Sequence, residues 1–158
     1  MSYELTVAEA MHFPSLSKAE VVSGFRGINN VISTVIVGDT LDIADWISET
    51  DFVLSTVPFM RKGSIPAPSE QILYKWALSI CKRRPSAIGI KTMRLAEDIT
   101  DPRKKNSWTI RGNCYLDHIP ESIRALGDEY NVPIIELPAF ASQNAVNRDV
   151  MWGDTAQV

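Results

Sequence analysis

Apolar positions along the chain switch several times between the two-residue period of strands and the three-to-four-residue period of helices, and each switch delimits an element. Near the start, Thr6-Val7-Ala8-Glu9 is a capping box, in which the Thr6 hydroxyl accepts from the Glu9 amide and the Glu9 carboxylate reaches back to the Thr6 amide. It predicts a short helix ending near His12, ahead of Pro14. Glu20 to Gly24 and the β-branched run Val31 to Val37 predict two strands joined by a Gly/Asn turn through Gly27-Ile28-Asn29-Asn30. Asp51 to Thr56 is a short apolar run ending in a polar pair, the pattern of a strand buried on both faces of a parallel sheet. The stretch Pro58 to Pro68, with three prolines and Gly63, is a loop.

Ser69 then opens a helix to about Arg83, with Ile72, Leu73, Trp76, Ala77 and Ile80 as its inward stripe. Lys82-Arg83-Arg84 oppose the negative end of its dipole, and Pro85 stops it. Ala87 to Lys91 and Pro133 to Leu137 read as further buried strands. Between them a helix runs from about Pro120 to Tyr130, with Ile123, Leu126 and Tyr130 facing inward. Alternation of this kind predicts an α/β fold, a single compact domain with a mixed, partly parallel sheet flanked by helices. Within it, about 94–113 is polar and weakly periodic, the mark of a surface insertion. The main unit is expected over 1–140, and 141–158, with its amphipathic segment Asn144 to Trp152, as a C-terminal helix or the start of a linker.

Composition narrows the function classes. The 158 residues are 45% hydrophobic and 22% charged, with a formal net charge of -3, which suits one soluble globular domain and excludes collagen, coiled coil and wholesale disorder. The balance leaves no cationic field for nucleic acid or an anionic membrane. Lys82-Arg83-Arg84 and Arg103-Lys104-Lys105 lack aromatic interleaving and read as solvated termini. Cys81 and Cys114 are far apart and are expected as free thiols of a reducing compartment. The N-terminus lacks the apolar stretch of a signal peptide, and no run approaches the length of a membrane span, so a cytoplasmic protein is expected. His12 and His118 do not make a zinc set with the two cysteines, and the sequence holds no nucleophile-elbow, P-loop or zinc-protease motif. No catalytic residue, metal or cofactor is therefore expected.

In open α/β sheets, ligands bind outside the carboxyl ends of the parallel strands. That edge would carry Asp39 and Thr40, Ser55 and Thr56, Lys91, and Glu136, with the loop from Pro58 to Pro68 above it. Four of them have a second reading: Ser55 and Thr56 also suit local turn amides, Lys91 a solvated strand end, and Asp39 a turn cap. Trp108 and Trp152 are candidate interface anchors, whereas Trp76 belongs to the core.

Taken in order, LTVAEAM, FPSL, AEVVSGFRGINNVISTVIVGD, ADWI, TDFVLST, AIGIK and YLDHIPESIRALGDEYNVPIIELP resemble the N-terminal domain of PucR-type bacterial transcriptional regulators, the purine catabolism regulators. The resemblance runs from about Leu5 to Phe140. It implies a non-enzymatic sensory or regulatory domain that answers a small nitrogen-containing metabolite, forms a homodimer, and acts on DNA through a separate C-terminal helix-turn-helix that this sequence does not contain. An excised fragment or a stand-alone sensor is then expected. The alternatives are a ligand-free dimerisation module and a small α/β enzyme using the strand-edge cleft. Three features depart from the family pattern: Ser48-Glu49-Thr50-Asp51 stands where a glycine pair and Glu are common, Val57 where a glycine is common, and the polar insertion is long.

Overall fold

Thr6 ends a two-residue strand, β1 (Leu5–Thr6), and caps the single-turn helix α1 (Val7–Ala10). Its Oγ1 accepts from the Glu9 N–H at 3.2 Å, and a Glu9 carboxylate oxygen accepts from the Thr6 N–H at 3.1 Å, so the predicted capping box is formed. This is one corner of a computed structural model that describes residues 4–95, 116–139 and 141–156. The remaining strands are β2 (Glu20–Ser23), β3 (Val31–Ile32), β4 (Thr34–Val37), β5 (Asp51–Ser55), β6 (Ala87–Lys91) and β7 (Ile134–Leu137). The longer helices are α2 (Glu70–Cys81), α3 (Glu121–Tyr130) and α4 (Gln143–Ala156).

Five strands form one mixed sheet in the order β2-β7-β6-β5-β4, in which β4 to β7 run parallel and β2 lies antiparallel against β7. The expected α/β fold is the one observed. Burial of β5, β6 and β7 along their whole length accounts for their unbroken apolar character, since both faces are covered. On one face α2 and α3 pack Leu73, Trp76, Ile80, Ile123 and Leu126 against Val53, Ile88 and Ile134. On the other, α1, the turn 14–16 and α4 set Val7, Leu16 and Val146 against Phe52, Leu54 and Ile135. Ser69 caps α2, its Oγ accepting from the Ile72 N–H at 3.2 Å, and the Trp76 indole donates to the Gly38 carbonyl at 3.1 Å.

The run Val31 to Val37 departs from its expected form. It is two short strands that part at Ser33: β3 pairs antiparallel with β1, and β4 joins the main sheet beside β5. Nor do β2 and the run form neighbouring strands, for β2 and β4 occupy opposite edges of the sheet. The Gly24 to Gly27 turn serves another purpose. A Cβ on Gly24, where φ is +72°, would stand 2.1 Å from the Val132 carbonyl oxygen, and one on Gly27 would stand 2.1 Å from that of Asn131. The glycines let this turn lie against the chain between α3 and β7. Asn30 fastens the contact, its Nδ2 donating to the Ser86 and Asn131 carbonyls at 3.2 Å each. The expected insertion lies, beyond Leu95, outside the described residues, as do Trp108 and Cys114.

Candidate functional site

The parallel strands β4, β5, β6 and β7 deliver their carboxyl ends to one edge, and the chain leaves each of them through a polar residue. After β4, the Asp39 carboxylate accepts from the Ser55 hydroxyl at 2.9 Å and from the Thr56 N–H at 3.0 Å. Ser55 Oγ in turn accepts from the Val57 N–H at 2.9 Å. These bonds set a turn in which Val57 adopts the left-handed conformation, φ 47° and ψ 56°, before the chain passes into the short 3-10 turn Pro58–Met60. Thr40 is exposed beside this turn, its carbonyl accepting from the Ile43 N–H at 3.4 Å.

Strand alternation separates the other two candidates. Lys91 follows Ala87 and Gly89 at two-residue spacing, which turns its side chain to the α4 face of the sheet, whereas Glu136 follows Ile134 and points to the α2 and α3 face. There a Glu136 carboxylate oxygen accepts from the Thr92 hydroxyl at 3.1 Å, and both residues are buried. Thus Asp39 and Ser55 form one cluster, Glu136 and Thr92 another.

Thr56 and Lys91 meet in a third place. They line a recess of about 290 Å³ closed on its other side by Ala141, Ser142, Gln143 and Asn144, the entry and first turn of α4. Lys91 is only 8% exposed and makes no hydrogen bond or ion pair among the described residues. Gln143 Nε2 is buried without a partner as well. Ser142 caps the helix, its Oγ accepting from the Ala145 N–H at 3.2 Å. The remaining first-turn amides of α4 have no acceptor within the helix. The sequence marks an amphipathic segment here, but only the folded chain brings its start to the sheet edge; the local signal is Ser142, placed as an N-cap residue ahead of that segment.

Elsewhere the surface offers less chemistry. A larger recess of about 450 Å³ lies at the opposite, amino end of the parallel strands, lined by Gly24, Phe25, Arg26, Asp128 and Asn131. Its Asp128 carboxylate is already engaged by the Gly24 N–H at 2.8 Å, and the topological rule for α/β sheets favours the other edge. Burial pushes the Cys81 thiol up to about 12, with the Glu129 carboxylate adding to the shift, so Cys81 is an inert core thiol. Among the described residues no group of three or more His, Cys, Asp or Glu is placed to hold a metal, and no helix is long and apolar enough to cross a membrane. Trp152 lies in α4, but its side chain is outside the described set.

The chain is 25% identical over 134 residues to the purine catabolism regulatory protein of Bacillus subtilis (strain 168), an alignment covering 85% of this chain and 20% of that protein. The chain thus spans about a fifth of the length of the curated relative it matches. The model of the purine catabolism regulatory protein-like family, PucR, matches residues 9–152, from within α1 well into α4, and the chain belongs to that family.

Proposed function

We propose that this chain is a ligand-responsive regulatory domain of a PucR-type transcriptional regulator, acting in the catabolism of purines or related nitrogen compounds. Family membership supports the regulatory role, and one observation supports sensing: the recess at the carboxyl edge, where Thr56 and a buried Lys91, without a partner among the described residues, face the start of α4. In this reading residues 1–140 form the sensory unit, 141–158 the helix that leaves it, and a small nitrogen-containing metabolite binds between them. The domain is cytoplasmic, non-enzymatic and homodimeric, and DNA is reached through a separate domain. Binding changes the outcome only through the ligand's differential affinity for two conformations.

A thermal-shift screen against purines, ureides and amino acids tests it. A ligand at a hundred times its dissociation constant adds about 2.7 kcal/mol, or roughly 5–10 °C at this size. That shift, lost in Thr56→Val and Lys91→Met, is the expected result; its absence across the panel removes the sensing role.

A second reading, a ligand-free dimerisation module, is favoured by a different observation. Trp46 is 72% exposed, and Val37, which ends the edge strand β4, and Leu41, which follows it, are exposed as well. Large aromatics left in solvent mark contact surfaces. If this surface joins two copies, Trp46→Ala raises the dimer dissociation constant by about tenfold or more in sedimentation equilibrium. A dimer untouched by that change excludes this surface.

A further inference from the structure

We infer that the recess between β6 and α4 is an oxyanion site, and that the ligand of this domain is a small organic anion whose charged oxygens sit against Lys91 and the first turn of α4. The inference rests on the sensing role proposed above and specifies its chemistry.

Three observations carry it. Lys91 is nine-tenths buried and borders the recess, yet among the described residues no carboxylate answers it: Glu136 points through the other face of the sheet to Thr92, and Asp39 is bound to Ser55 and Thr56. Among the described residues, no Asp or Glu lines the recess. A buried ammonium without a counter-charge is costly, and water satisfies its hydrogen bonds without neutralising it. Next, the unspent groups around the recess include several donors: the Lys91 ammonium, the buried Gln143 Nε2, and the opening amides of a helix fourteen residues long. Finally, the positive end of that helix dipole faces the same space, so the charge preference of the helix and of Lys91 coincide. The volume, about 290 Å³, lies at the lower end for small-molecule pockets and sets the ligand's size.

The minimal probe is acetate, with acetamide as its neutral isostere, titrated at millimolar concentration into the full chain and followed by amide NMR. Acetate should shift the Gln143, Asn144 and Ala145 amides saturably, acetamide should not, and N-carbamoylglycine should bind more tightly than its amide. Lys91→Met should weaken acetate about 10–100-fold, the effect of losing a charge-assisted hydrogen bond.

Should that variant fold poorly, Asn144→Asp serves independently, because Asn144 is exposed at the rim of the recess. A carboxylate in a first turn favours the helix but repels an anion, so thermal stability should rise while acetate affinity falls several-fold. Equal responses to acetate and acetamide, or acetate binding unchanged in both variants, overturn the oxyanion assignment. If a neutral metabolite from the thermal-shift panel binds while acetate leaves α4 unmoved, sensing stands and the anion assignment falls. If neither binds, both fall.

Discussion

Val57 pays a backbone cost that its side chain recovers. It is the β-branched member of the few non-glycine residues with positive φ, and its side chain is fully buried. Holding such a residue in the left-handed region costs on the order of 1–3 kcal/mol, sustained here by core packing and by the bonds from Ser55 and Asp39. Val57→Ala loses buried methyls and keeps a strained backbone, whereas Val57→Gly loses one carbon more and releases the strain. Urea unfolding should therefore show Gly no worse than Ala at this position. The ordinary order, Gly worse by about 0.5–1 kcal/mol, would mean that the turn is unstrained. The sequence shows only a valine after a polar pair; the conformation that makes it odd appears only in the fold.

Cys81 supplies a prediction in pH. An unfolded thiol ionises near 8.5, while the buried one resists until about 12, so between these values the unfolded state binds fewer protons than the native one. The contribution is fully present below about pH 8.5, and stability then falls with rising pH by up to about 1.4 kcal/mol per unit. Denaturant midpoints measured from pH 8 to 10.5 should show this slope in the wild type and a shallower one in Cys81→Ala; equal slopes would place the alkaline loss elsewhere.

At the scale of elements, the two positive-φ glycines separate strain from close approach. Gly24 is pressed onto the Val132 carbonyl, whereas a Cβ on Gly63 meets nothing within 4 Å. Gly63→Ala should cost about 1 kcal/mol of backbone strain. Gly24→Ala should cost on the order of 3 kcal/mol or more, because the backbone of the α3–β7 connection has to move as well. Similar midpoint shifts for the two would contradict the packed turn. The difference is invisible in a sequence: both are glycines in polar loops, and a Gly/Asn cluster after a strand reads as a hairpin whether or not its strands pair. The run Val31 to Val37 fails for the same reason. Its β-branched residues announce strand, but nothing local says that β3 will pair with β1 and β4 with β5. Helices were more legible, since the stripe of α2, the cap at Ser69 and the capping box at Thr6 are local signals.

For the molecule as a whole, the sheet order predicts where opening begins. Amides of β5 and β6, flanked by strands on both sides and buried throughout, should exchange only through global unfolding, while the two-stranded β1–β3 pair opens at lower cost. Native-state hydrogen exchange in which β1 and β3 match β5 would indicate one fully cooperative unit. The carboxyl edge of the parallel strands was legible from the α/β alternation. The division of its residues was not: Asp39 and Ser55 bond each other, Glu136 faces away, and only Thr56 and Lys91 share the recess with α4.

Fourteen residues of α4 extend from that recess across the sheet. At 1.5 Å per residue the helix is a rod about 21 Å long. Val146 grips it by the core, and Asp149 ties it to the Ser15 amide at 3.1 Å. Seated in this way, α4 joins the recess to the far side of the sheet, and a ligand held at its first turn would bear on contacts several times its own width away.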